Sequence, residues 1–148
     1  MNEKPNAMNL DFSTSPNVWK FLQDNSFVRG IMGPVGSGKS YACCAEIFKR
    51  AVQQKPSPKD GIRYSRFAVV RNSYPMLKTT TIKTWLELFP ENVWGNLHWS
   101  PPITHHLKLP ARGDASGIDC EVIFLALDQP KDVRKLLCLE LSGAWVNE

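Results

Sequence analysis

Eight consecutive residues, Gly33, Pro34, Val35, Gly36, Ser37, Gly38, Lys39 and Ser40, spell G-x-x-x-x-G-K-S. A phosphate group demands several converging N–H donors and positive charge at short range. Glycines at 33, 36 and 38 permit backbone conformations that side chains block, so the amides between them can face an anion. A helix starting near Lys39 adds the positive end of its dipole. In such a loop Lys39 bridges the outer phosphates of a nucleotide and the Ser40 hydroxyl ligates Mg²⁺. Chance occurrence in a turn is the competing reading, and placement between an apolar run and a helical segment argues against it.

Hydrolysis asks for more than binding. A carboxylate must stand at the end of a neighbouring strand to polarise water, beside a residue that holds the metal's water shell. The segment AWVNE reads as a buried strand ending in Asn147 and Glu148, which makes Glu148 the candidate general base. Asn147 occupies a place where Asp is commoner. Its amide offers an oxygen without charge, so its contact with Mg²⁺ is weaker or runs through water.

The elements that position these residues follow from patterning. Residues 1–12 read as a loose leader. Ser15-Pro16 gives a helix start, with a hydroxyl followed by proline at the first helical position, and Val18, Phe21 and Leu22 supply its apolar stripe. Residues 27–32 read as a strand running into the loop, and residues 39–53 as the helix after it, with Ala42, Ala45 and Val52 on one face. QQKPSPKDG is a surface connection, and RFAVVRN a strand covered on both faces. Ser73 caps a further helix that buries Ile82, Trp85, Leu86 and Phe89. ITHHLKLP and IDCEVIFLAL, joined by ARGDASG, predict a hairpin. Residues 131–138 look helical, and GAWVNE forms a last strand. The sum is an α/β fold with a mostly parallel sheet flanked by helices.

Composition sets outer limits. A chain of 148 residues with 43% hydrophobic content suits one packed domain. Lys49, Arg50, Lys55, Lys59, Arg63, Arg66 and Arg71 face only Asp60 in the same stretch, which is either solvated surface or a rim for phosphate or nucleic acid. Four cysteines without a C-x-x-C pair predict free thiols in a cytosolic protein. The longest clean apolar run, residues 122–127, is too short to cross a bilayer, and the polar N-terminus lacks a signal-peptide core. His105 and His106, as neighbours on a strand, point to opposite faces, so they and His98 do not read as a metal site. Trp85, Trp94, Trp99 and Trp145 read as packing groups. Lys78 and Lys83 lie on the polar side of the second long helix, as solvated surface or as contacts to a phosphate backbone.

Three blocks, FVRGIMGPVGSGKS, FAVVRNSYPMLKTTTIKTWLELFPE and DVRKLLCLELSGAWVNE, resemble the phage terminase large subunit across most of residues 16–148. The first is generic to phosphate-loop ATPases; the other two are more particular to that family. The resemblance implies a P-loop NTPase of the additional-strand, catalytic-glutamate class, with ATP and Mg²⁺ bound at a subunit boundary. Residues 33–40 are then the nucleotide loop, Asn147 the Walker B polar position and Glu148 the catalytic carboxylate. SPNVWKFL stands where an adenine-contacting segment is expected, without the glutamine often found there. The implied partners are double-stranded DNA, a portal protein, a small terminase subunit and further copies in a ring, in the cytoplasm of an infected bacterial host. Arg71 and Arg112 are candidates for an arginine that completes a neighbour's site, and Arg71 equally for a contact to DNA or bound phosphate. The resemblance also implies a strand after Walker B and a nuclease domain. Neither is in this chain, so it reads as the N-terminal portion of such an ATPase, truncated after the Walker B strand. A phosphate-loop kinase, a helicase-like NTPase and an inactive nucleotide-binding remnant stay open as alternatives.

Overall fold

The computed structural model describes residues 11–147. Its organising element is β1 (Arg63–Arg71), whose four consecutive apolar residues Phe67, Ala68, Val69 and Val70 are all buried. A strand that is apolar without alternation needs cover on both faces and a partner on each edge. Along one edge β1 pairs in parallel with β3 (Ile118–Ala126), in register from Arg63 opposite Ile118 to Arg71 opposite Ala126. Along the other it pairs in parallel with β4 (Gly143–Val146), from Phe67 opposite Gly143 to Val70 opposite Val146. The hairpin partner β2 (Ile103–Leu109) runs antiparallel to β3, and the strand order is β2-β3-β1-β4. The expected α/β class holds. The sheet, however, is mixed rather than mostly parallel, because the hairpin adds an antiparallel strand at one edge.

Among the described residues six α-helices accompany this sheet: α1 (Pro16–Gln23), α2 (Lys39–Val52), α3 (Tyr74–Met76), α4 (Ile82–Leu88), α5 (Glu91–Trp94) and α6 (Val133–Leu137). Ser73 caps α3 as expected, its hydroxyl accepting from the Met76 N–H. A π-helical turn, Leu77–Thr81, joins α3 to α4. The main core forms where α2 and α4 meet one face of the sheet, with Cys44, Ile47, Ala51, Phe67, Val69, Ile82, Trp85, Phe89, Leu107 and Phe124 in contact. On the other face Ala68, Val70, Ile123 and Leu125 are covered by Leu127, Leu136, Leu139 and Leu141 from around α6.

Two expectations fail, each for a long-range reason. Residues 27–32 form no strand: Phe27 and Met32 are 103% and 92% exposed, and no described strand lies alongside to complete a hydrogen-bond ladder. The buried face of α2 is not Ala42, Ala45 and Val52 but Ala42, Cys43, Cys44, Glu46, Ile47 and Ala51, while Val52 is exposed. That face is wide because the helix meets α1 on one side and the sheet on the other. All four cysteines are free. Burial pushes Cys43 and Cys120 up to about 11, so both thiols stay protonated at neutral pH.

The histidines separate as strand geometry requires. His105 is buried and His106 is exposed beside Asp119 and Glu121. His105 Nδ1 accepts from the Trp85 indole N–H at 2.9 Å, and its Nε2 lies 2.8 Å from the Gly95 carbonyl, which fixes the neutral Nε2–H tautomer. Burial lowers the His105 pKa, so folding favours the neutral ring. Stability from this group is therefore fully present above the unfolded value near 6.5 and declines as pH falls below it. The slope cannot exceed about 1.4 kcal/mol per pH unit, the limit for one proton. Urea midpoints at pH 7 and pH 5.5 should show this loss, and His105→Gln should flatten it.

Candidate functional site

The phosphate-type loop is shaped from within. Gly36 and Gly38 adopt φ of 80° and 81°, the left-handed region that a Cβ disfavours. A Cβ at Gly33 would lie 2.9 Å from Ser37 Oγ, so a side chain there would make Ser37 turn aside. Pro34 and Val35 form the exposed tip, and the Ser37 N–H closes a turn onto the Pro34 carbonyl at 3.3 Å. Lys39 folds back into the loop, its Nζ donating to the carbonyls of Gly33 and Pro34 at 2.5 and 2.6 Å and to Ser37 Oγ at 3.1 Å. Gly38 is the N-cap of α2 and brings no side-chain cap, so the first-turn N–H groups, including that of Ser40, remain free for a ligand. The loop thus joins an ammonium, free amides and a helix N-terminus within eight residues.

The segment before the loop is held by charge rather than by a ladder. Arg29 lies 2.7 Å from the buried Glu46 carboxylate on α2 and donates to the Asp24 carbonyl at 2.9 Å. Its guanidinium also covers the Phe21 ring at 5.1 Å, and Arg50 reaches Glu46 from the next turn at 2.6 Å. These contacts bind α1, where the adenine-contacting segment is expected, to α2. Ser15 caps α1 by position only, without a side-chain hydrogen bond.

A second cluster forms where β1 and β4 end. Arg71 Nη1 donates to Thr80 Oγ1 and Thr81 Oγ1 at 3.0 and 3.2 Å. Asn147 Nδ2 donates to the same Thr81 oxygen at 3.1 Å, and the Asn147 N–H bonds to the Val70 carbonyl at 2.8 Å. Arg71 Nε is buried without a hydrogen-bond partner. The C-terminal ends of parallel strands are where open α/β sheets take ligands. The Arg63 guanidinium bonds to the Gln54 carbonyl, tying the end of α2 to the start of β1. The helix therefore runs back along the strand, and its N-terminus with the loop is directed toward the end that carries Arg71 and Asn147.

Arg71 and Asn147 are thus brought together, and so are Gly33, Pro34, Ser37 and Lys39. Arg112 is placed elsewhere: it bridges to Ala115 in the hairpin turn and lines a groove with Arg63 and Ile118. That is the opposite end of β1 from Arg71, eight residue steps or about 26 Å away. Arg112 therefore cannot serve the loop of its own chain. Glu148 lies outside the described residues. The strand expected to be buried before it is only half covered, with Val146 69% exposed, because β4 is an edge strand among the described residues. Trp85 and Trp145 do pack on the main core, whereas Trp99 is 47% exposed beside Lys78 and Lys83. The basic run is no single rim, since Arg50 pairs with Glu46, Arg66 with Glu121, and Arg63 and Arg71 stand at opposite strand ends. Sequence reasoning missed Thr80 and Thr81; the TTT run gave no sign that two of its hydroxyls would meet Arg71.

Compared with protein-family models, with curated proteins and with solved structures, the chain matches none. Its class is α/β, and among the described residues no helix is long and apolar enough to cross a membrane. No described group of three or more His, Cys, Asp and Glu gathers to hold a metal ion. The loop geometry itself is open to test. Gly38→Ala must hold a Cβ at φ 81°, a strain of about 1 kcal/mol, and should lower the melting temperature by roughly 3 °C. Gly30→Ala, with nothing within 4 Å of its Cβ and no positive φ, should leave it unchanged.

Proposed function

We propose that residues 33–40 bind the phosphates of ATP and that the chain is the ATP-binding and ATP-hydrolysing part of a viral DNA-packaging motor, a terminase large subunit type of P-loop ATPase. The observation that carries the nucleotide reading is the Lys39 ammonium turned into a loop whose glycines hold left-handed conformations. An ammonium resting on loop carbonyls is poised to exchange them for phosphate oxygens, which are stronger acceptors. The motor reading rests on the second and third sequence blocks and on Arg71 and Asn147 standing together at the strand ends.

Mg²⁺ fits the residues present. It favours a few hard oxygen donors and keeps several waters, and Ser40 offers a hydroxyl while Asn147 offers an amide oxygen acting through water. When bound, the ion supplies charge neutralisation on the phosphates. The chain's own part is to seat the phosphates on amides and Lys39, to present Asn147 to the ion's water shell, and to take a proton from attacking water at the Glu148 carboxylate. Double-stranded DNA, a portal protein, a small terminase subunit and a ring of copies are the partners this reading brings, with the infected bacterial cytoplasm as its setting.

ATP binding and turnover by the chain, with and without double-stranded DNA, test the reading. Lys39→Ala should weaken ATP binding by about 2 kcal/mol, roughly thirtyfold. Glu148→Gln should leave binding intact and cut turnover by about 100-fold or more. Turnover stimulated by DNA supports the motor. Phosphoryl transfer to a small acceptor would favour a kinase instead, and binding without turnover a nucleotide-binding protein that is no enzyme.

A further inference from the structure

Thr81 stands between the two groups at the strand ends, yet it belongs to neither strand. It sits in the π-helical turn Leu77–Thr81, where the Ile82 N–H reaches the Leu77 carbonyl five residues back. A π turn widens the helix and changes which side chains share a face. Here it brings the hydroxyls of Thr80 and Thr81 within reach of one guanidinium nitrogen. The two threonines then differ. Thr80 donates its hydrogen to the Met76 carbonyl at 2.6 Å, an ordinary back-bond of the helix. Thr81 is 1% exposed, and its oxygen accepts from both Arg71 and Asn147.

The contact with Asn147 has a directional result. A carboxamide has a donor end and an acceptor end. With Nδ2 of Asn147 on Thr81, Oδ1 is turned away from the threonine. We propose that Thr81 is a positioning residue: its hydroxyl holds Nδ2 of the Asn147 amide so that Oδ1 faces the water shell of a nucleotide-bound Mg²⁺. This rests on the ATP and Mg²⁺ reading above.

The test is ATP affinity measured in Mg²⁺ and again in EDTA, on the whole chain. In the native protein Mg²⁺ should tighten ATP. Thr81→Val keeps shape and volume but loses the hydroxyl; it should reduce that tightening about tenfold, the usual cost of losing an outer-shell partner, while affinity in EDTA stays unchanged. Thr81→Ser should restore it. Asn147→Leu should show the same Mg²⁺-specific loss, and adding Thr81→Val to it should cost nothing more. A Thr81→Val protein with undiminished Mg²⁺ tightening overturns the proposal and leaves ATP binding standing. Should Thr81→Val fail to fold, a Thr81→Ser protein lacking the tightening overturns it equally. A native chain that binds no ATP in either condition overturns the function and this inference together.

Discussion

Everything in this molecule that resembles a functional site hangs on the burial of β1. Its run from Phe67 to Val70 is apolar on both faces, and like β3 it has a neighbour on each edge. A strand of that kind is costly to expose, since full burial of one large aliphatic side chain contributes about 1.5–3 kcal/mol. The helices α2 and α4 cover one face and the leucines around α6 the other. Arg71 is carried at its end, and Asn147 is registered against it through the Val70 carbonyl. The position of the polar cluster is thus a consequence of hydrophobic packing several residues away.

The two halves of the candidate site are built by different physics. The loop is local: glycine dihedrals, one close approach at Gly33 and an ammonium folded onto carbonyls define it within eight residues. The cluster of Arg71, Thr80, Thr81 and Asn147 is tertiary, joining a strand end, a π turn and a second strand end. Between them the Arg29–Glu46 pair fastens the segment before the loop to α2. That pair is mostly buried, so its strength depends on Arg50 and on the backbone carbonyl that Arg29 also reaches.

Edges mark where regular structure stops. β2 closes one side of the sheet as a hairpin strand, with charged and polar residues outward and His105 inward. β4 lies at the other side with Val146 exposed, and residues 27–32 keep apolar side chains in water without joining the sheet. Backbone donors and acceptors need partners, and a short apolar run forms a strand only where a neighbour stands alongside.

By itself the sequence determined what depends on neighbours in the chain. The G-x-x-x-x-G-K-S spacing, the Ser73 cap, the hairpin around ARGDASG, the opposed faces of His105 and His106 and the apolar run of β1 all follow from local sterics or from period-two geometry. Tertiary structure alone decided what depends on residues far apart in the chain. It left residues 27–32 out of the sheet, made that sheet mixed, widened the buried face of α2, sent Arg112 to the far end of β1 and set Thr81 between Arg71 and Asn147. The reason is physical: a spacing prescribes the conformation of its own few residues, whereas a strand partner or a shared hydroxyl exists only once packing has brought separate elements together.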